Sequence, residues 1–243
     1  MFDYKNSRSN IINILKSKTP IEHKNKIPSD KEFTFENGIK TWVGSIFIDI
    51  KDSSKLFEQK DEKLARLMRA FTSEIICLFQ DLSFYHEIGI RGDCVYAIYD
   101  VSTKSDLFDI FNVAIRLNTF MLMFNKIITN FGYASISAGI GLGCDENLII
   151  KAGRNGTGIN NKIWIGKAVV DASNLSSKAN RNGISPIAMS SLFYSNINEL
   201  ISKKISNNNI LIKKYQSAID SNLFYHCEVF ENGFYNWING GMK

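Results

Sequence analysis

The sequence predicts an α+β protein with an antiparallel-rich sheet and helices packed on it. Residues 41–50 are a run of strand formers, residues 61–79 carry apolar side chains at helical spacing, and residues 84–99 indicate two short strands around a turn. A second long helix and a further strand complete the order β-α-β-β-α-β. This order predicts the ferredoxin-like arrangement, which supports several chemistries, so the fold alone does not decide the function.

The first strand and helix are predicted from apolar spacing and turn formers. Asp49 stands near the end of the strand, and Lys51-Asp52-Ser53-Ser54 follows with side chains that form turns and caps. A helix then starts near Asp61. Its apolar residues keep to one face: Leu64, Leu67, Met68, Phe71, Ile75 and Leu78.

The hairpin and the segments after it follow from turn residues and helix caps. Arg91-Gly92 forms the turn, and Asp93 stands where the second strand of the hairpin begins. The later predicted elements are a helix from about 105 to 130, strands at 135–142 and 147–151, a loop at 153–161, a helix at 167–179, a strand at 187–189, a short helix, and a closing hairpin at 224–237 that turns at Asn232-Gly233.

The 243 residues suit one domain with extensions or two small domains. Residues 1–38 are predicted to be an N-terminal extension, with a helix around 10–15 and a polar linker that contains Pro20 and Pro28. Residues 39–243 are predicted to form the main domain, including the closing hairpin.

Composition and charge narrow the class of protein. The net charge is +5, and the basic residues are scattered, which is typical of solvated surface, although this sign also favours a polyanionic substrate. The N-terminus lacks the apolar stretch of a signal peptide. The most apolar segment, 107–128, contains Asp109, Arg116 and Lys126, which argues against a bilayer span. We therefore expect a cytoplasmic protein that binds neither nucleic acid nor membrane.

Two acids carry the functional prediction. Asp49 closes the first strand and Asp93 opens the third, and these strands are neighbours in the predicted sheet, so both carboxylates should meet at one edge. Carboxylates with nearby backbone oxygens suit Mg²⁺ or Mn²⁺. The alternative is that Asp49 caps the following helix and Asp93 only ends a turn.

The loop after the first strand is a candidate phosphate site. Lys51, Asp52, Ser53 and Ser54 lie between a strand and a helix, where backbone N–H groups favour phosphate and Lys51 adds charge. Plain helix capping by Ser53 or Ser54 is the alternative interpretation.

Several segments, in this order and spacing, resemble the class III adenylate and guanylate cyclases. Phe47-Ile48-Asp49-Ile50 resembles their first metal motif, in which an Asp and the next backbone carbonyl bind metal, and Gly92-Asp93 resembles the second. Gly139-Ile140-Gly141 with Gly143 resembles a later strand and glycine turn, and the segment 165–173 resembles the family's catalytic helix. The resemblance covers residues 40–200 and implies a cyclase catalytic domain with Asp49, Ile50 and Asp93 as metal ligands.

The sequence departs from the family at the positions that recognise the base and at those that stabilise the transition state. The position of the purine-recognising Lys is Gly89, and that of the second base-recognising residue is Ile163. The family's transition-state Asn and Arg fall at Val170 and Asn174. Because Asn174 and Lys178 are one helical turn apart, they are candidate replacements that would supply an amide and a cation, with a solvated Lys178 as the alternative.

A compact cyclase without the purine-recognising pair is similar to the Pycsar pyrimidine cyclases of bacterial antiphage defence. The resemblance implies conversion of UTP or CTP to cUMP or cCMP, which activates a separate cell-killing effector. It also implies a homodimer with two sites, each holding two Mg²⁺ or Mn²⁺ ions. Phe47 and Arg91 are further candidate substrate contacts, and a core position is the alternative for Phe47.

Other functions stay open from the sequence. One is an adenylate or guanylate cyclase with a rebuilt base pocket, and another is a non-catalytic cyclase-like nucleotide sensor. A polymerase-like palm shares the paired carboxylates, but the sequence contains no fingers or thumb segments. The intact metal aspartates favour an enzyme, because a domain without catalysis loses nothing when such ligands are replaced.

Overall fold

A computed structural model describes residues 2–58, 60–204, 213–216 and 223–243. Two compact units are present: one comprises the chain up to Thr41 together with Asn147–Ile165, and the other comprises Trp42–Glu146 and Gly166–Lys243. In chain order the elements are α1 (Tyr4–Lys16), β1 (Ile21–His23), a 3₁₀ turn (Asp30–Glu32), β2 (Gly38–Ile50), α2 (Ser53–Leu56), α3 (Glu62–Gln80), β3 (Tyr85–Arg91), β4 (Cys94–Asp100), α4 (Lys104–Asn130), β5 (Ala138–Gly153), β6 (Asn160–Ile165), α5 (Lys167–Lys178), β7 (Ile187–Ser190), α6 (Ser191–Lys204), β8 (Lys213–Gln216), β9 (Leu223–Cys227) and α7 (Asn232–Asn239).

The larger unit is built on a sheet whose strands follow the order β3-β4-β2-β5-β7-β9-β8. β2 pairs antiparallel with β4, and β5 pairs parallel with β7. The predicted α+β class is confirmed, and the first and third strands of the ferredoxin-like core are neighbours as expected.

α3 and α4 provide most of the core on one side of this sheet. The Asp61 side chain accepts from the Leu64 N–H at the start of α3, and Thr103 forms a capping box with Asp106 at the start of α4. α4 is long and apolar enough to cross a membrane, but 72% of its most apolar window is buried inside the protein. It is therefore the central core helix of this unit.

α5 packs against the glycine-rich start of β5. A Cβ at Gly139, Gly141 or Gly143 would collide with the backbone of α5, so only glycine permits this close approach. The buried hydroxyl of Ser45 on β2 also donates a 2.6 Å hydrogen bond to the carbonyl of Ala168. These contacts fix the position of the helix that carries two of the predicted catalytic residues.

The smaller unit contains the N-terminal helix and the outer parts of two long strands. α1 begins at the N-cap Asp3, and β1 pairs parallel with the first residues of β2. β6 pairs antiparallel with the end of β5, with Leu148 opposite Ile165. The polar stretch predicted as a linker thus contains a short strand.

Two local predictions were wrong. β5 is one continuous strand from Ala138 to Gly153 and does not break into two strands, because Asp145 in its polar middle accepts a hydrogen bond from the N–H of Lys167 and starts no turn. Asn232-Gly233 begins a helix and forms no hairpin turn, because the Glu231 carboxylate accepts hydrogen bonds from the N–H groups of Gly233 and Phe234 and so caps α7.

Candidate active site

Asp49 and Asp93 approach each other at one edge of the sheet. β2 and β4 pair up to Ile48 opposite Val95, so the two acids follow within two residues of this last pair. Gly92 has a φ of +64°, which shapes the tight turn before Asp93. Burial and then the nearby charge of Asp93 raise the pKa of the Asp49 carboxyl, as two converging carboxylates should.

Arg181 makes the main polar contact of Asp49. Its Nη2 donates to Asp49 Oδ2 at 3.0 Å and to the carbonyl of Ile50 at 3.3 Å. Its Nη1 donates to the carbonyls of Ser176 and Ala179 at the end of α5, at 3.1 and 3.0 Å. One guanidinium therefore joins the end of β2 to the end of α5.

Cys94 lies beside both acids. Burial, followed by the charges of Asp49 and Asp93, raises the pKa of the Cys94 thiol to about 12. The pKa of this thiol is thus consistent with two carboxylates close to each other.

The residues fit a hard divalent cation. Oδ2 of Asp93 is buried and has no hydrogen-bond partner within the described part of the chain. With Asp49 and the Ile50 carbonyl it forms an oxygen-only donor set, which Mg²⁺ and Mn²⁺ prefer. Among the described residues, no group of three or more His, Cys, Asp or Glu side chains could hold a metal ion.

The predicted phosphate loop adopts a tight turn into α2. Asp52 is the N-cap with a φ of 56°, and its side chain makes no capping bond. Ser53 and Ser54 are the first two residues of the helix, so neither caps it. The N–H of Lys51 donates to the carbonyl of Ser137 at 2.7 Å. The N–H of Lys51 is therefore not available for phosphate.

The aromatic residues near the acids form a stacked pair. Phe47 is buried and stacks on Tyr96 with ring centroids 5.0 Å apart, whereas Trp42 is 43% exposed. Tyr96 donates to Glu87 Oε1 at 2.7 Å, and its ring covers Gly89, the position of the purine-recognising Lys. Exposed Arg91 lies at the end of β3, next to the turn that carries Asp93.

Asn174 and Lys178 line one cavity of about 530 Å³ in the larger unit, as expected for residues one helical turn apart. Its wall also includes Asp145 and Asp171, and neither Asp49 nor Asp93 belongs to its lining. Burial raises the pKa of the Asp171 carboxyl. Within one chain, the predicted transition-state residues and the predicted metal ligands thus occupy different places.

Comparisons with known proteins assign this arrangement to a family. No family model matches the chain. It is 40% identical over 242 residues to a uridylate cyclase of Treponema porcinum, covering 99% of this chain and 82% of the relative. It is also 30% identical over 232 residues to a uridylate cyclase of Gulbenkiania mobilis, covering 90% of both chains.

The chain belongs to the family of these uridylate cyclases. The fold agrees. The adenylyl cyclase CyaB of P. aeruginosa superimposes with a TM-score of 0.64 at 19% identity, covering 78% of this chain and 95% of the other. The guanylyl cyclase Cya2 gives a TM-score of 0.62 at 12% identity, covering 80% and 95%. The protein is thus a nucleotidyl cyclase, a phosphorus–oxygen lyase.

Sequence reasoning missed two residues of this cyclase that contact the site. Arg181 lies in the loop Ala179-Asn180-Arg181-Asn182-Gly183, which has the composition of an ordinary turn, and its partner Asp49 is 132 residues away. The strand pattern predicts no role for Tyr96 beyond the hairpin. The one available signal was Gly89, whose missing side chain leaves space that a neighbour on the adjacent strand fills.

Proposed function

We propose that this cyclase converts UTP, with CTP as the alternative substrate, to the 3′,5′-cyclic nucleotide and diphosphate. The choice of a pyrimidine is supported by the names of its two relatives and by Gly89, whose place is covered by Tyr96. A Lys at that position, which the family uses for purines, would collide with the ring. The Tyr96 ring narrows the site at this position, so a pyrimidine suits it better than the larger purine.

The observation that carries the proposal is the cluster of Asp49, Asp93 and the Ile50 carbonyl. These three groups would hold two divalent ions, Mg²⁺ or Mn²⁺, which supply Lewis-acid activation of the 3′-hydroxyl and neutralise phosphate charge when bound. The 3′-hydroxyl gives up its proton to solvent, and its oxygen forms a bond to the α-phosphorus as the bond from that phosphorus to the diphosphate oxygen breaks. The N–H groups after Lys51 and the charges of Lys51 and Arg91 would orient the triphosphate.

We further propose that the active enzyme is a homodimer with two sites. Asn174 and Lys178 do not join the acids within one chain, yet their amide and ammonium groups suit the charge that develops on the phosphorane. A twofold dimer would bring Asn174 and Lys178 of the partner subunit to the metal cluster. Each site would then need both chains.

The cellular proposal is a second-messenger role in antiviral defence in the cytoplasm. The cyclic pyrimidine nucleotide would activate a separate effector that kills the infected cell. It rests on the resemblance to the Pycsar cyclases.

Product identification tests the substrate. The purified protein is incubated with each of the four nucleoside triphosphates and Mn²⁺, and products are separated by chromatography and identified by mass. We expect cUMP as the main product. Turnover of ATP alone would contradict the pyrimidine assignment. If none of the four triphosphates gives a cyclic product in buffer, the same assay in phage-infected extract distinguishes a missing trigger from an inactive protein.

Mixing two inactive variants tests the dimer. Asp93→Asn and Asn174→Ala each disable a different half of the proposed site, so a mixture contains heterodimers with one intact site. We expect activity to return on mixing. Continued inactivity of the mixture, with each variant folded and dimeric, would contradict the shared site.

A further inference from the structure

Arg181 contacts the same two atoms that the proposed site assigns to metal. Its Nη2 bonds to Asp49 Oδ2 and to the Ile50 carbonyl, and the side chains of Arg181 and Asp49 are only 20% and 23% exposed. Partial burial keeps this pair from being screened as a surface ion pair would be. The guanidinium keeps its charge at all relevant pH values, so it is a permanent cation at the site.

The other half of the guanidinium has separate partners. Nη1 donates to the carbonyls of Ser176 and Ala179 at the C-terminal end of α5, where helix carbonyls lack intrahelical donors and the helix dipole is negative. These bonds do not involve the metal ligands. Arg181 can therefore release Asp49 and Ile50 and still remain anchored to α5.

We propose that Arg181 is an internal counter-cation that closes the metal site and is displaced when a divalent ion binds. An oxygen lone pair that accepts from Nη2 is unavailable to a cation, and a guanidinium beside the site repels one. The site is thus in equilibrium between an arginine-closed and an open state. The apparent metal affinity is the affinity of the open state multiplied by the fraction of molecules that are open.

Arg181 could instead be a positioning residue that prepares Asp49 for metal. In that case, replacing Arg181 would change the metal affinity in the opposite direction. If Arg181 only oriented the carboxylate, its removal would loosen a ligand and weaken metal binding. The sign of the change therefore separates the two roles. The inference rests on the proposed metal ligands, but its readout is binding and not turnover.

The test is a titration of nucleotide-free protein with Mn²⁺, in which free Mn²⁺ is measured by electron paramagnetic resonance. Arg181→Gln should bind Mn²⁺ about tenfold more tightly than the unsubstituted protein, since a site closed in about nine molecules of ten has a tenfold weaker apparent affinity. Arg181→Lys keeps a cation but loses the planar fork, so it should fall between the two. Arg66→Gln removes an exposed charge on α3 and should leave the affinity unchanged.

The outcomes are distinguishable. Equal or weaker Mn²⁺ binding by both Arg181 variants, with circular dichroism that matches the unsubstituted protein, would overturn the counter-cation role. Asp49→Asn assigns the binding to this site, because it should abolish the tight Mn²⁺ signal. Should neither the unsubstituted protein nor any Arg181 variant bind Mn²⁺, the metal site itself would be wrong and this inference with it.

Discussion

The ring of Tyr96 lies directly over the backbone of Gly89. A Cβ built on Gly89 would stand 2.5 Å from the phenol oxygen, and that oxygen already donates to Glu87. Two neighbouring strands thus place an aromatic ring at the position where the resemblance to purine cyclases would put a Lys side chain. The glycine at position 89 therefore leaves the space that the Tyr96 ring of the neighbouring strand fills.

Gly89→Ala should therefore destabilise the protein by about 1–3 kcal/mol, because the ring has to shift from its stack on Phe47. In a Tyr96→Ala background, the same substitution should cost far less, since its clashing partner is absent. Denaturant unfolding of the four proteins in this double-mutant cycle measures the coupling. An equal cost in both backgrounds would contradict the contact.

Removal of either acid should abolish synthesis of the cyclic product. Asp49→Asn and Asp93→Asn each remove the charge of a proposed metal ligand, and we expect a loss in kcat of at least about 10³-fold. Initial rates of product formation at saturating Mn²⁺ give the comparison. Glu74→Gln on the exposed face of α3 is the matched control and should retain full activity. Activity that survives in Asp93→Asn would refute the site.

Gly141→Ala should dislodge α5 from the sheet. The new methyl group would meet the carbonyl of Ala172 and the N–H of Ser176, both of which belong to helix backbone and cannot rotate away. We expect a loss of about 1–3 kcal/mol in the free energy of unfolding. Gly233→Ala is the control, because its Cβ would face only the flexible side chain of Glu231 at 3.3 Å. Comparable thermal midpoints for the two variants would contradict the tight packing of α5.

Stability should fall as the pH drops below about 6.5, partly through His226. Burial lowers the pKa of this histidine, and its Nδ1 accepts from the N–H of Ser185 at 2.9 Å, so the folded state holds it neutral. The unfolded chain then binds the proton first. Stability is fully present above the unfolded pKa and is lost, at up to about 1.4 kcal/mol per pH unit, as the pH falls toward the folded pKa.

Urea unfolding between pH 7.5 and 5.5 checks this dependence. His226→Gln should show a shallower slope than the unsubstituted protein over that window. Identical slopes would mean that another group is responsible.

The sequence predicts that Asp49 and Asp93 meet at the ends of two neighbouring strands, but it does not predict the residues that surround them. Asp49 and Asp93 were located because a strand run and a hairpin turn are local patterns, and strand order follows from element order. Arg181 was not found because its role depends on a contact across 132 residues. The hairpin turn predicted at Asn232-Gly233 was wrong because the side-chain cap from Glu231 outweighed the turn preference of these two residues. Tertiary context decides such a competition.

One consequence of the Ile50 contact concerns how this enzyme tolerates genetic change. The oxygen that Arg181 holds belongs to the peptide group, so no codon at position 50 can delete it. Only a shift in how β2 aligns with its neighbours would move it, and that alignment is secured by buried pairs such as Ser45 opposite Ile98. Scanning by single substitutions would therefore overlook this proposed ligand, whereas an insertion or deletion in β2 would displace its carbonyl oxygen and reveal its role.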